Sequence, residues 1–374
     1  MNFDYNDEQK ALKDEARRFL AAVSPLSVVR AAIENPAEGY DKTLWQRIGE
    51  QGWCGAAIPE SFGGIGMGYV ELCALAEELG RSLAPVPFAS TVYLFAEALL
   101  LAGSDEQKED FLPQVAAGSL IGTLAVSEGP GVLTPDRITT RFADGKLTGE
   151  KVPVTDGLAA DRVVVLAMAD DGPGLFLVDL TGEGVSRSGV TTIDPTRGEA
   201  RIAFDSAPAQ PLGQGGDALS QLARIQDRAA VLLAFEQLGG ADRCLEMARD
   251  YALERYAFGR PIGGYQAIKH KLADVFVKNE VARANAYFGA WALSTDAPEL
   301  PLAAAAARVA GSAAYWLASK ESIQTHGGIG FTWEADCHFY YRRARHLGLI
   351  IGAPRDWKRR LVSALRDQVE GEAA

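Results

Sequence analysis

The chain has 374 residues, room for two or three ordinary domains. Hydrophobic residues make up 48% and charged residues 23%, the balance of a soluble globular protein. The formal net charge of -12 argues against nucleic acid as a partner, because a polyanion is repelled.

The four cysteines, Cys54, Cys73, Cys244 and Cys337, are scattered and form no C-x-x-C pair, which suits reduced, buried thiols in a cytosolic protein. The four histidines, His270, His326, His338 and His346, show no H-E-x-x-H arrangement, so no metal site is expected. The start, Met1-Asn2-Phe3-Asp4, is acidic without an apolar core, so no signal peptide is expected. No uncharged apolar run is long enough to span a bilayer. The expectation is a cytoplasmic protein without membrane contact.

Up to residue 119 the pattern is mainly helical. Asn6 is placed to cap a helix, with Gln9 three positions on, and Leu12, Ala16, Phe19, Leu20 and Val23 repeat at helical spacing. Further helices are predicted over Thr43–Gly52, Tyr69–Leu79, Ala89–Ala102 and Glu106–Ala116. The run Gly63-Gly64-Ile65-Gly66-Met67-Gly68 looks like a nucleotide loop, but it does not fit G-x-G-x-x-G and is read as a flexible turn. From Leu120 the pattern turns to short β-rich runs: Leu120–Val126, Ile138–Phe142, Lys146–Val154, Arg162–Met168, Gly174–Asp179, Gly184–Val190 and Glu199–Phe204. Asp144-Gly145, Asp171-Gly172-Pro173 and Gly182 punctuate them as turns. No βαβ alternation appears, which excludes a Rossmann fold. Near Gly216 the helical period returns over Ala218–Tyr256, Tyr265–Ser294, Pro301–Thr325 and a broken pair from Glu334 to Gln368. Short connections imply antiparallel neighbours and a four-helix bundle. Gly239-Gly240 within the first of these helices, and the alanines of Ala303–Ala307, imply close helix contact. The expected domains are 1–119 (helical), 120–212 (a compact, barrel-like β domain) and 213–374 (the bundle), an α+β multidomain chain.

The stretch from Arg255 to Arg343 carries the chemical signal. Arg255-Tyr256-Ala257-Phe258-Gly259-Arg260-Pro261-Ile262, running on to Gln266, opens it. Gln324-Thr325-His326-Gly327-Gly328-Ile329-Gly330-Phe331, then Trp333-Glu334 and Tyr341-Arg342-Arg343, closes it. Each end sets a cationic or amide side chain and glycines beside a helix terminus. Bare amides and the helix dipole there attract an anionic group such as phosphate, and glycine lets it come close.

Both ends resemble the acyl-CoA dehydrogenases, flavoenzymes that desaturate acyl-CoA thioesters. In that family an R-x-x-F-G-x-x-I…Q segment and a Q-x-x-G-G-x-G segment hold the pyrophosphate and adenosine of FAD. The resemblance assigns Arg255, Phe258, Gln266, Gln324, Gly327 and Gly328 to the dinucleotide. It covers the whole length, since a helical, then β, then bundle order is that family's architecture. Leu124-Ala125-Val126-Ser127-Glu128 resembles the family's x-x-V-T-E segment, and Lys151-Val152-Pro153-Val154-Thr155-Asp156-Gly157, with Ala160-Asp161, resembles K-x-W-I-T-N-G…A-D. These imply Val126, Ser127 and Thr155 at the flavin ring, although plain strand hydroxyls would read the same. The chain also departs from the family here. Gly129-Pro130-Gly131-Val132-Leu133 replaces P-x-A-G-S-D, and Pro153 stands where a Trp usually covers the ring.

The base is the larger departure. The family reaction removes an α-proton and passes a hydride to flavin N5, which requires a carboxylate beside the α-carbon, screened from water. Most members carry it in Y-E-G-T after R-D-A. Here Arg343-Ala344-Arg345 leads into Leu349-Ile350-Ile351-Gly352-Ala353-Pro354, with Ile351 at the Glu position. A minority carry it on the helix before R-x-x-F-G, where this chain has Ala229, and Ala230 where a substrate-side Arg is common. Asp227 and Arg228 are near in sequence but half a helical turn away.

Bacterial acyl-CoA dehydrogenases for steroid side chains resemble this pattern. They are often α2β2 heterotetramers with the Glu on one subunit type, and FAD lying across a subunit interface. Gly327–Glu334, Asp336, His338, Tyr341-Arg342-Arg343 and Gly352-Ala353-Pro354 are similar to that subgroup. The resemblance implies an acyl-CoA substrate, a Glu-bearing partner subunit, a hetero- or homotetramer and electron-transfer flavoprotein as acceptor. Two other readings stay open: a self-sufficient homo-oligomer using Asp227 or Glu236 as base, and an inactive scaffold that binds no flavin.

Overall fold

The computed structural model describes residues 5–35 and 39–372. The start Met1–Asp4, expected not to be a signal sequence, lies outside the described residues. Helices α1 (Asp7–Val23), α2 (Leu26–Glu34), α3 (Lys42–Glu50) and α4 (Tyr69–Ser82) come first. A π-helical stretch, Ala89–Ala96, then runs into α5 (Glu97–Ala102), followed by α6 (Asp105–Ala116). Seven strands follow: β1 (Gly122–Ala125), β2 (Arg141–Ala143), β3 (Lys146–Thr155), β4 (Arg162–Ala169), β5 (Gly172–Asp179), β6 (Val185–Val190) and β7 (Glu199–Pro211). The chain closes with α7 (Ala218–Glu254), the hairpin β8 (Tyr256–Ala257) and β9 (Arg260–Pro261), α8 (Gln266–Ser294), α9 (Leu300–His326), α10 (Cys337–Leu347) and α11 (Pro354–Glu372).

The residues form two compact units: Met1–Val29 with Tyr69–Ala84 and Ala230–Ala374, and Arg30–Gly68 with Pro85–Ala229. In the second unit β4 pairs with β5, β5 with β7, β7 with β3, β3 with β2 and β2 with β4, so the sheet closes on itself as a small barrel. The run Arg162–Ala169 explains the central place of β4. Residues Val163 to Ala167 are all buried, as a strand needs when neighbours cover both faces. The turn from β2 to β3 uses Asp144 and Gly145 with φ of 50° and 74°, a left-handed pair that matches strand twist. Strand β7 runs on past Phe204 to Pro211 because its second half pairs with β5.

In the first unit, α1 starts with the expected reciprocal cap: the Gln9 amide donates to the Asn6 side chain at 2.8 Å, and the Asn6 amide to the Gln9 side chain at 2.9 Å. Helices α4 and α7 meet backbone to backbone. A Cβ on Gly80 would stand 1.9 Å from the Glu236 carbonyl, and one on Gly239 1.8 Å from that of Glu77. Gly240 leaves room for the Tyr315 ring of α9, which confirms the close contact expected at the glycine pair. Ala303, Ala304, Ala305 and Ala307 are fully buried on α9. Two buried carboxylates in this unit are paired: Glu77 meets Lys13 at 2.6 Å and Arg283 at 2.9 Å, and Glu78 meets Arg17 at 2.8 Å.

Three local readings are corrected. Helix α2 was missed, since its inward face shows only Val29 and Ile33, four positions apart. The expected helix Ala89–Ala102 is π-helical in its first half, which lets eight successive buried side chains pack. The glycine run 63–68 is a turn, but a pinned one. Amides of Ile65, Gly66 and Met67 donate to the carbonyls of Gly55, Ile58 and Ala56 at 2.9, 3.0 and 2.8 Å.

Candidate active site

Helices α8 and α9 pack along each other as antiparallel neighbours, so the C-terminus of α9 lies at the end where α8 begins. The C-terminus of α7 joins them there: Tyr251 of α7 stacks on His326 of α9 with ring centroids 4.4 Å apart. Lys271 of α8 bonds Glu321 of α9 at 3.0 Å one turn further in. The two motif segments found in the sequence therefore end up at one end of the bundle.

Local chemistry shapes that end. Between α7 and α8, Phe258 and Gly259 form the hairpin turn with φ of 51° and 79°. A left-handed Phe is uncommon, and this one is 98% exposed. The hairpin is held from below: the Tyr265 hydroxyl donates to the Ala257 carbonyl at 2.9 Å, and the Arg260 guanidinium lies 4.0 Å from the Tyr265 ring centre. Helix α8 starts at Gln266 with no side-chain cap at Tyr265; the Ile268 and Lys269 amides donate to the Tyr265 carbonyl at 3.1 Å, which leaves the Gln266 and Ala267 amides uncapped. On α9 the helix stops at Gly327, with φ 66° and ψ -140°. A Cβ on Gly327 or Gly328 would meet nothing within 4 Å, whereas one on Gly330 would stand 2.7 Å from the Ile323 carbonyl. Arg255, Gln266 and Gln324 are exposed, and none makes a side-chain hydrogen bond or ion pair among the described residues. Open glycines, uncapped amides and an unengaged guanidinium fit a pyrophosphate.

The ring-side candidates lie in the other unit. The Ser127 amide-side carbonyl accepts from the Val152 amide at 2.8 Å, which ties the β1 extension to β3. The Ser127 hydroxyl is engaged locally, donating to the Gly129 carbonyl at 3.2 Å. The Val126 carbonyl accepts from the fully buried Lys151 ammonium at 3.3 Å, and that ammonium reaches Glu128 at 2.6 Å. Burial opposes charge on Glu128, yet hydrogen bonds from Lys151, Thr139 and Thr140 prevail and hold the carboxyl at about 2. Thr155 is 7% exposed, with its hydroxyl 2.8 Å from a Glu199 carboxyl oxygen. Pro153 is exposed. These side chains are together in one wall, but the hydroxyls are committed within the protein, so this wall fits a ring less openly than the bundle end fits a dinucleotide.

The two positions that the resemblance sets against the family's base are apolar. Ile351 is 8% exposed, with its carbonyl taking the Trp357 indole N–H at 3.1 Å, and Ala229 is fully buried. Asp227 is buried as well. Arg228 bonds Glu97 at 3.0 Å and is thereby occupied. Glu236 lies 3.5 Å from Arg343, both 1% exposed, an ion pair inside the bundle. The sequence contained no signal for this pair, for the His326–Tyr251 stack or for the Glu199 contact, because each joins residues far apart along the chain. The cysteines are reduced and buried, as expected, and no cluster of metal-ligating side chains occurs among the described residues. No helix among them is long and apolar enough to cross a membrane.

Large apolar side chains face outward at the bundle end, Leu253, Tyr256, Phe258, Ile329, Phe331 and Trp333, and further along α8, Phe276, Val277 and Val281. A patch of this kind marks an interaction surface.

Residues 6–119 match the acyl-CoA dehydrogenase N-terminal domain, and residues 222–355 the acyl-CoA dehydrogenase C-terminal domain. Acyl-CoA dehydrogenase IpdE2 of Mycobacterium tuberculosis is 37% identical over 96% of this chain and 97% of that protein. Among solved structures, a variant of the Tcur3481-Tcur3483 steroid ACAD superposes with a TM-score of 0.87 at 30% identity, covering 98% of this chain and 99% of that one. The ChsE4-ChsE5 complex from Mycobacterium tuberculosis superposes with a TM-score of 0.88 at 26% identity, over 98% and 99%.

Proposed function

The chain belongs to the acyl-CoA dehydrogenase family, and from that footing we propose that it is the subunit without a catalytic Glu in an α2β2 enzyme. It is an oxidoreductase whose cofactor is FAD. The observation that carries the finer reading is the pair of buried apolar side chains, Ile351 and Ala229, at both places where the family puts its base. FAD supplies the hydride acceptor. This chain's part is to hold and orient: Arg255 and the uncapped Gln266 and Ala267 amides of α8 take the pyrophosphate, and Gly327 and Gly328 let it approach. Gln266, Gln324 and Phe258 complete the dinucleotide seat, and Val126, Ser127 and Thr155 line the ring wall. The α-proton goes to a carboxylate of the partner subunit.

The likeness to a steroid ACAD and to a two-protein ChsE4-ChsE5 complex supports a bulky, steroid side-chain acyl-CoA and a heterotetramer. The likeness, at 26% identity, to a solved structure of an electron transferring flavoprotein of Acidaminococcus fermentans supports that acceptor. Four reduced thiols suit the cytoplasm. The matches at 6–119 and 222–355 support the division into domains 1–119, 120–212 and 213–374. The self-sufficient reading loses Glu236 to its ion pair with Arg343.

The test is turnover of a panel of acyl-CoA esters, steroid side-chain thioesters included, with an artificial electron acceptor. The purified chain alone is expected to be almost inactive, because general-base catalysis contributes about 10²–10⁴-fold. With a Glu-bearing partner, activity should depend on that Glu and be indifferent to Asp227→Asn. Brisk turnover by the single chain, abolished by Asp227→Asn, overturns the reading.

A further inference from the structure

Thr155 and Glu199 stand directly opposite each other in the register of β3 and β7. Opposed residues send their side chains to the same face of the sheet, so the contact is built into the pairing. The hydroxyl and carboxyl oxygens are 2.8 Å apart, and each residue is 7% exposed.

The backbone on either side is tied down. The Thr155 carbonyl accepts from the Thr123 hydroxyl at 2.7 Å. The Asp156 amide donates to the Gly198 carbonyl at 2.5 Å, and the Asp156 carboxyl accepts from the Ser90 hydroxyl at 2.7 Å. The direction of the Thr155 hydroxyl proton is what remains to be set. A hydroxyl has one proton to give, whereas an ionised carboxylate can only accept and a neutral carboxyl can also donate. With Glu199 ionised, the threonine proton must point at the carboxylate. With Glu199 neutral, the carboxyl donates to the threonine oxygen and the threonine proton is released to another acceptor.

We propose that Glu199 is a positioning residue of the flavin wall, whose protonation decides whether the Thr155 hydroxyl donates outward to the flavin or inward to the carboxylate. The proposal rests on Thr155 facing the ring. The surroundings favour the neutral form. Burial pushes the Glu199 carboxyl up to about 8; Asp156 and Asp194 add to the rise, while the Thr155 hydrogen bond and Arg197 oppose it. At neutral pH the threonine therefore offers a donor, and in alkali it withdraws it.

The experiment uses the FAD-loaded assembled enzyme and follows the visible flavin spectrum and the flavin reduction potential from pH 6 to pH 9.5. The wild type should show a one-proton transition in both, with its midpoint near 8, coincident with loss of a protonated-carboxyl band in infrared difference spectra. Glu199→Gln is nearly isosteric, and its amide still donates to Thr155. It should lose the transition and the infrared band: its spectrum should keep the wild-type neutral-pH form throughout, and its potential should fall with pH only along the unbroken slope set by the flavin's own proton uptake. Thr155→Val, lacking the hydroxyl, should show an altered spectrum independent of pH. If Thr155→Val leaves the flavin spectrum at wild-type values, the ring-facing reading of Thr155 fails and the proposal with it. If Thr155→Val alters the spectrum while Glu199→Gln keeps the wild-type pH profile, the ring-facing reading stands and the role of Glu199 is overturned.

Discussion

At Glu199 the sign of the pH dependence follows from which state holds the proton. Its folded value, about 8, lies above the ordinary 4.5 of a glutamate. Below the lower value both folded and unfolded chains are protonated, and the contribution of the neutral form is fully present. Between the two values the unfolded chain has released its proton and the folded one has not, so stability falls as pH rises, and the contribution is lost on passing the upper value. The slope is at most about 1.4 kcal/mol per pH unit. Glu199→Gln should flatten that part of the curve, so its thermal midpoint should gain on the wild type between mildly acid and alkaline pH. Scanning calorimetry of both proteins across that range checks it. At Arg255 the expectation concerns binding. A charge-assisted phosphate contact is worth roughly 1.5–3 kcal/mol, so Arg255→Ala should weaken FAD retention about ten- to a hundredfold. Unchanged flavin content after gel filtration of that variant would remove Arg255 from the site.

Among the elements, the α4–α7 contact shows how context reverses a propensity. In an exposed helix, Gly→Ala is stabilising by about 1 kcal/mol. At Gly239 the added methyl would stand 1.8 Å from the Glu77 carbonyl, inside any real contact distance. The helices would have to part, and Glu77 with them, although it is held by Lys13 and Arg283. Gly239→Ala is therefore expected to destabilise by roughly 3 kcal/mol or more, on the scale of overpacked cores. A denaturant midpoint equal to that of the wild type would show that the helices tolerate separation. The hairpin of β8 and β9 presents the opposite case. Phe258 adopts a left-handed backbone and exposes its ring to water, an arrangement that gains nothing within one chain and becomes sensible once a second surface covers it.

For the whole molecule the outward apolar side chains predict obligate association. Val277 and Val281 sit four apart on α8 and are 59% and 51% exposed, so replacing both with Asp should cost the isolated fold little. The double variant is expected to fall apart to monomers and to lose FAD at the same time, if the dinucleotide seat is completed across an interface as the proposed function requires. Light scattering and flavin absorbance on the same sample check this; a monomer that keeps stoichiometric FAD would refute it.

Local pattern determined much about this protein. Periodicities of two and 3.6 marked the strands and helices, the Asn6 cap with Gln9 placed the start of α1, and Asp144-Gly145 announced its hairpin. The segments at Arg255–Gln266 and Gln324–Gly328, and the apolar residues Ile351 and Ala229, can be read off the sequence because a motif is written in neighbouring positions; their roles at a cofactor and a base belong to the proposal. What the tertiary structure decided are relations between distant residues. The stack of Tyr251 on His326 needs α7 and α9 to end together, and the burial of Glu236 against Arg343 needs α7 and α10 in one core. The Thr155–Glu199 pair needs the register of β3 on β7, where a shift by one residue would turn Glu199 to the other face of the sheet. Helix α2 stayed hidden for a related reason. Its two inward residues make too weak a period alone, and packing rather than propensity makes so short a helix stable.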